Sequence, residues 1–220
     1  MDIGIIGAGN IGATTAKLFA KAGHHVAISN SRGPKSLEQL VAEIGPNAHA
    51  ADADDAADFG EVVLLAIPWS KREEGLPAPD RLAGKIVMDA MNPYTPDFQI
   101  EDLGGDTSSE DIARRLPGAR MVKAFNTMYY ERLRDEGQLN VPVEDRLALF
   151  VAGDDAEAKS VVSRLIEEIG FAPVDTGPLR EGGRKQQPGS PVYNIPIAAG
   201  PAARAAGLHD PEGPTEETTA

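Results

Sequence analysis

The sequence contains no cysteine. That excludes disulfides, thiolate metal sites and a cysteine nucleophile. Tryptophan occurs once, as Trp69, and aromatic residues make up only 5% of the chain. No stretch approaches the roughly 18 continuous apolar residues of a membrane span. The chain opens directly into MDIGIIGAGNIG, without a basic leader, apolar signal core or cleavage site. The expectation is a soluble, cytoplasmic protein with no membrane partner. Positive charge is also scarce: 21 Lys and Arg stand against 34 Asp and Glu, a net charge of -13. Phosphate-rich nucleic acid would be repelled, so it is not an expected partner. A local basic pocket for one phosphate remains compatible with that balance.

Metal-ligand spacing is missing as well. His24 and His25 sit where a helix exits and a strand starts, His49 lies on a weak strand, and His209 lies near the end. No Ser-His-Asp arrangement has supporting context. The sequence therefore nominates no metal ligand and no firm catalytic residue. Lys123 is the one candidate acid near a strand end, and its side chain has an equally plain reading as a solvent-facing one.

What is present is an alternation. Apolar runs at residues 2–6, 25–29, 61–67, 85–90, 119–125 and 147–151 read as buried strands, with weaker ones at 48–50 and 172–174. Between them, residues 11–21 and 34–44 carry apolar positions at helical spacing. The segment 154–169 is the clearest helix, with Asp154 or Asp155 as its cap and Val161, Val162, Leu165, Ile166 and Ile169 inward. Residues 71–84 are weakly helical and broken by prolines. Continuous apolar strands alternating with helices predict an α/β fold of the Rossmann type: a doubly wound, mostly parallel sheet covered on both faces. The expected division is a dinucleotide-binding domain over 1–180, a short extension over 181–207 near the acceptor site, and a flexible acidic tail over 208–220.

Gly7-Ala8-Gly9-Asn10-Ile11-Gly12 fits G-x-G-x-x-G and lies between a predicted strand and a predicted helix, the context that confirms the pattern. Gly7 makes the tight turn. Gly9, without a side chain, lets the backbone approach a pyrophosphate. Gly12 allows the helix to pack close to the sheet. The helix N-terminus then offers free N–H groups to the anion.

A site for NAD usually carries Asp or Glu at the end of the second strand, about 20 residues past the glycines. Here that address reads Ile28-Ser29-Asn30-Ser31-Arg32-Gly33-Pro34-Lys35. It holds no carboxylate. Hydroxyls and a guanidinium fork suit a 2′-phosphate instead, so the expected cofactor is NADP(H). Ser31 and Arg32 are the first choices for that contact, with Ser29, Asn30 and Lys35 around them.

In an open parallel sheet, ligands bind beyond the carboxyl ends of the strands at the topological switch point. Three more strand ends are distinctive: Ala66-Ile67-Pro68-Trp69, Met91-Asn92-Pro93-Tyr94 and Lys123-Ala124-Phe125-Asn126-Thr127. Small residues and prolines there would wall a nicotinamide ring, and Asn92 and Asn126 would hold amide or ribose oxygens. Trp69 either stacks on a planar substrate or covers the sheet edge. Asn92-Pro93 is either a ligand wall or a turn.

In order, GIIGAGNIG, ISNSRGP, LLAIPW, VKAFNT, AGDDAEAKSVV and DTGPL resemble the NADPH-dependent coenzyme F420 reductases, the F420-dependent NADP oxidoreductases. The resemblance covers residues 2–180. STEAP-type metalloreductase domains look similar too. The resemblance implies direct hydride transfer between the nicotinamide C4 and a deazaflavin C5, with F420 as co-substrate, and often a homodimer. By resemblance Ser31 and Arg32 match the family's 2′-phosphate contacts. A site built from Ala66, Ile67, Pro68, Trp69, Asn92 and Ala124 would hold two planar rings face to face and exclude water. The C-terminal part, GPLREGGRKQQPGSPVYNIPIAAG, departs from the apolar helix of many archaeal members. Gln186–Tyr193 reads there as a lid over the acceptor or as a strap on the sheet. The expected function is an NADP(H)-dependent oxidoreductase acting on F420 or a similar planar acceptor. The alternatives are a reductase of a flavin, quinone or biosynthetic intermediate, and a non-catalytic NADPH-binding sensor.

Overall fold

The computed structural model describes residues 1–207. The acidic tail expected over 208–220, with His209, lies outside the described residues. Eight strands form one sheet: β1 (Asp2–Ile6), β2 (His25–Ser29), β3 (Ala48–Ala50), β4 (Val62–Leu65), β5 (Ile86–Asp89), β6 (Arg120–Lys123), β7 (Ala148–Ala152) and β8 (Ala172–Gly177). The helices are α1 (Asn10–Lys21), α2 (Glu38–Ile44), α3 (Ala53–Phe59), α4 (Arg72–Gly75), α5 (Pro79–Leu82), α6 (Ser108–Arg115), α7 (Tyr130–Asp135), α8 (Ala156–Glu168), α9 (Leu179–Lys185) and α10 (Ala199–Ala205).

The strand order is β3-β2-β1-β4-β5-β6-β7-β8. β1 to β6 are parallel throughout, and the chain reverses its direction of travel across the sheet between β1 and β4. That gap is the topological switch point, where an open sheet leaves a crevice. The fold is the expected doubly wound, mostly parallel α/β sheet. β7 meets β6 antiparallel, Lys123 opposite Ala152, and β8 runs parallel to β7.

β1, β2 and β4 to β7 bury both faces, which is why their sequences are nearly continuous apolar runs, whereas the edge strands β3 and β8 are only partly buried. One face packs Ile3, Ile5, Leu64, Met88 and Val122 with Phe19 of α1 and Leu165 and Ile166 of α8. The other packs Ile6, Leu65 and Val87 with Ala56 and Ala57 of α3, Ile112 of α6 and Leu179 of α9. In α8, Asp155 caps the helix by accepting from the Ala158 N–H at 2.9 Å. Val162, Leu165, Ile166 and Ile169 are buried as expected, and Val161 is half-buried. Asp154 instead receives the Leu179 N–H at 2.9 Å and so fixes the start of α9.

The expected boundary at 180/181 falls inside α9. Val192, Ala202 and Ala206 beyond it share a core cluster with Phe150 and Val174 of the sheet. The extension is packed on the sheet. His24 is buried rather than a surface residue, edge-on to Phe19 and 2.8 Å from Glu168.

Candidate functional site at the strand ends

The glycine loop is shaped by what surrounds each glycine. Gly7 has φ +107°, and a Cβ there would lie 2.5 Å from the Ala66 carbonyl oxygen. Its N–H donates to the Ser29 carbonyl at 3.1 Å. A Cβ on Gly12 would collide with the Gly7 carbonyl. Gly9 differs: nothing stands within 4 Å of where its Cβ would be. It is the N-cap of α1, its φ is an ordinary -75°, and no side chain caps the helix. The first N–H groups of a helix have no partner inside it. Here they open onto free space over Gly9, beside half-buried Ala8, exposed Asn10 and half-buried Ile11. An oxyanion such as a pyrophosphate fits this cradle. A groove of about 420 Å³ continues from it between α1 and α7, lined by Gly9, Asn10, Thr14, Lys17, Tyr130 and Arg134.

Beyond β2, the loop 30–36 holds its own shape. The Asn30 Oδ1 accepts from the Arg32 N–H at 2.9 Å, and the Asn30 amide donates to Ser36 Oγ at 2.9 Å. Pro34 starts a short 3-10 turn over Pro34–Leu37. Asn30 is thereby a loop builder with its amide engaged. Ser31, Arg32 and Lys35 are exposed. Among the described residues neither Arg32 nor Lys35 has an ion-pair partner, although most other arginines are paired. Ser29 is turned inward: it is 1% exposed and donates to the Ile5 carbonyl at 3.2 Å. It buckles β2 to β1 behind the glycine turn and offers a ligand no hydroxyl.

At β4, Ala66 and Ile67 stand against Gly7. A Cβ on Gly7 would come within 3.0 Å of the Ile67 Cγ2 methyl. Pro68 is exposed. Trp69 is buried at 2%. Its Nε1 donates to Glu101 at 2.6 Å, and the Arg72 guanidinium covers its ring at 4.1 Å. The buried ring has no open face for a substrate, and because β4 is an interior strand Trp69 packs in the core cluster rather than covering a sheet edge. Ala124 is fully buried and lies in the core rather than on the wall.

The ends of β5 and β6 carry a polar lattice. The Asn92 amide donates to the Asn126 carbonyl at 2.9 Å and to the Tyr193 hydroxyl at 3.2 Å. The Asn126 amide donates back to Asn92 Oδ1 at 3.1 Å and to the Gln186 carbonyl at 2.8 Å. The Asn194 N–H donates to the Thr127 carbonyl at 2.9 Å. Residues 186–194 therefore strap the strand ends, tied down at three points. Phe125, between Ala124 and Asn126, has φ +63°. A bulky residue there costs on the order of 1–3 kcal/mol. Its ring is fully buried, edge-on to Phe19 at 5.9 Å, which holds the turn.

Lys123 does not reach solvent. It pairs with Asp89 at 3.0 Å and donates to the Met91 carbonyl and to Ser108 Oγ. Asp89 also accepts from Ser109 Oγ at 2.6 Å and from the Met91 N–H at 2.9 Å. Burial pushes the Lys123 pKa below the ordinary lysine value, and the Asp89 carboxylate opposes that shift. The sequence reading missed Asp89, Glu101 and Tyr193. Asp89 had a signal: a carboxylate ending IVMD stands at the same strand position as the lysine ending RMVK. Glu101 and Tyr193 lie in irregular segments, where no period marks direction.

Among the described residues no helix is long and apolar enough to cross a membrane, and no cluster of His, Asp or Glu could hold a metal ion.

The family described as NADP oxidoreductase, coenzyme F420-dependent, matches residues 2–93. A solved structure of a hypothetical protein from Sinorhizobium meliloti is 35% identical, with a TM-score of 0.78 over 90% of this chain and 95% of that one. A candidate F420-dependent NADP reductase from an Arthrobacter species is 30% identical, with a TM-score of 0.70 over 80% of this chain and 85% of that one. The metalloreductase STEAP3 of Rattus norvegicus is 28% identical over 177 residues, 80% of this chain. The chain spans about a third of the length of the curated relatives it matches (34%). On its 30–35% identity across most of both chains, together with the glycine loop and the Rossmann sheet, the chain belongs to the F420-dependent NADP oxidoreductase family.

Proposed function

We propose that this oxidoreductase takes NADP(H) in preference to NAD(H) and exchanges a hydride with coenzyme F420 or a similar planar acceptor. The observation that carries the cofactor half is Arg32. It is an exposed guanidinium without an ion-pair partner among the described residues, next to Ser31, at an address where a carboxylate would mark NAD. Ser31, Arg32 and Lys35 would hold the 2′-phosphate. The uncapped start of α1 and the open face of Gly9 would take the pyrophosphate. NADPH, when bound, supplies the hydride.

The chain's own part is placement. Ala66, Ile67 and Pro68 form an apolar wall at the switch point, where water is kept from the reacting rings. The amides of Asn92 and Asn126 are spent on each other and on the strap, so they stiffen the neighbouring strand ends rather than donate to the cofactor. Lys123 is committed to Asp89 and to Met91, so it is not assigned as an acid. Direct hydride transfer between two rings needs no such group. Family membership supports F420 as the partner, and the experiment is direct. Protein, NADPH and purified F420 are mixed and the deazaflavin absorbance is followed. Loss of the absorbance is the expected result. An unchanged absorbance with NADPH bound tightly would sink the F420 assignment. A screen of flavins and quinones for NADPH oxidation then tests the remaining acceptors. The domain core over 1–180 would carry the cofactor, and the strap from the extension would face the acceptor.

A further inference from the structure

The groove of about 420 Å³ between α1 and α7 has cations in its lining and, among the described residues, no carboxylate: Lys17 and Lys21 come from α1 and Arg134 from α7. The chain around it carries a net charge of -13. A cleft lined by one sign of charge draws ligands of the other. Along α1, Asn10, Thr14, Lys17 and Lys21 share one helix face, because residues three and four apart are neighbours. At about 1.5 Å per residue the row is roughly 16 Å long. It starts at the open space over Gly9, at the carboxyl end of the sheet, and runs back along α1.

The groups in the row are available. Thr14 is only 8% exposed, yet its hydroxyl joins no hydrogen bond among the described residues and lines the groove. Its neighbour Thr15 spends its own hydroxyl on the Ile11 carbonyl at 2.9 Å. A nearly buried hydroxyl normally has a partner. Lys21 has no ion-pair partner among the described residues. Lys17 pairs with Glu43 at 2.9 Å and Arg134 with Asp135 at 2.6 Å, all four side chains being about half exposed. Such pairs are worth at most about 1 kcal/mol and give way to a better anion. The cofactor's phosphate end leads elsewhere: the loop 30–36 runs into α2, on the β3 side of α1, whereas the groove opens toward α7, which follows β6.

We infer that the α1/α7 groove is a polyanion subsite. It takes an extended chain bearing several carboxylates or phosphates, held by Lys17, Lys21 and Arg134 over the Thr14 hydroxyl. That chain is either an acidic side chain of the planar acceptor or a free polyanion of the same chemistry. The first source rests on the proposed hydride-transfer reading, and the groove assignment itself does not.

The test uses the full chain loaded with NADP⁺, which fills the cradle, and the double variant Lys21→Gln with Arg134→Gln. Both side chains are exposed, so the thermal midpoint should hold. Tetraglutamate is titrated by calorimetry. F420 and the same deazaflavin without its anionic side chain are titrated by fluorescence. The double variant is expected to bind tetraglutamate about tenfold more weakly, a difference that shrinks as salt rises. NADPH affinity should stay within about twofold. A matching loss for F420 with none for the bare ring assigns the groove to the acceptor's side chain. Unchanged F420 binding, with tetraglutamate weakened, assigns it to a free polyanion. If the wild-type protein binds no F420, the F420 reading fails and the tetraglutamate titration alone decides the groove. The subsite is overturned if neither tetraglutamate nor F420 tells the wild type from the double variant. An equal loss for F420 and the bare ring overturns it too, as does an equal loss for NADPH, which would make the groove part of the cofactor site.

Discussion

Asp89 and Lys123 stand opposite each other on neighbouring strands and pair at 3.0 Å, with side-chain exposures of 0% and 1%. Between them they hold both backbone groups of Met91. Removing one charge strands the other in the core. Lys123→Met is expected to cost on the order of 3–5 kcal/mol. The double change Asp89→Asn with Lys123→Met leaves no buried charge and is expected to cost clearly less than the two single changes added together. Urea denaturation of the three variants measures this. Additive losses would mean the pair does not act as a unit.

The two glycines Gly9 and Gly12 should part company on substitution to alanine. Gly12→Ala drives a methyl group into the Gly7 backbone, so α1 must shift and the thermal midpoint falls. Gly9→Ala meets open space at a backbone angle any residue adopts. Its fold should be as stable as the parent or about 0.4–1 kcal/mol more so, by restricting the unfolded chain. NADPH affinity should nonetheless drop, since the methyl occupies the cradle over the helix start. A Gly9→Ala protein with full NADPH affinity would place the pyrophosphate elsewhere.

The glycine loop was legible because its constraints are backbone constraints, and glycine is the residue that records them. Five of the six parallel strands were legible because burial on both faces leaves continuous apolar runs; the edge strand β3, with exposed His49, left only a weak trace. Other features left weaker traces. The direction of β7 is written in no periodicity, so its reversal against β6 came only from the pairing of Lys123 with Ala152. Helix α9 reads LREGGRK and looks like loop. It packs through Gly182, where a Cβ would meet Ala152 at 2.7 Å, so glycine is demanded by closeness rather than by a turn. At the site, residue type suggested the chemistry but not the direction of each side chain. Ser29 and Ala124 face into the protein, and Trp69 lies beneath Arg72. Asp89 and Lys123 could have been paired from their equivalent strand positions alone.

Asp155 links stability to pH. The Arg120 guanidinium, followed by the Ala158 N–H, holds its carboxyl well below the usual carboxylate range. The unfolded chain therefore takes up a proton at this group before the native protein does. The stabilisation is complete above the ordinary carboxylate value of about 4 and is lost as pH falls toward the native one. Asp155→Asn keeps a capping side chain but gives up the charge. Its thermal midpoint should lie below that of the wild type at pH 7, and the gap should narrow at pH 3. A gap of constant size across that range would show that the ion pair with Arg120 contributes nothing.

On the proposed reading, Arg32 sets the preference between the two nicotinamide cofactors. Its guanidinium is exposed and without an ion-pair partner among the described residues, while its own N–H is pinned by Asn30. The loop is therefore built whether or not the side chain has a ligand, and truncation to alanine should leave the loop intact. Arg32→Ala is expected to weaken NADPH by about 1.5–3 kcal/mol, the worth of a hydrogen bond to a charged group. NADH carries no 2′-phosphate and should lose little. Titration of each cofactor by intrinsic fluorescence measures the two losses side by side. Salt sharpens the comparison, because the contact is exposed and a higher ionic strength screens it. The gap between the two cofactors should shrink as salt rises in the wild-type protein and stay flat in Arg32→Ala. Equal losses for NADPH and NADH would contradict the assignment of this loop to the 2′-phosphate.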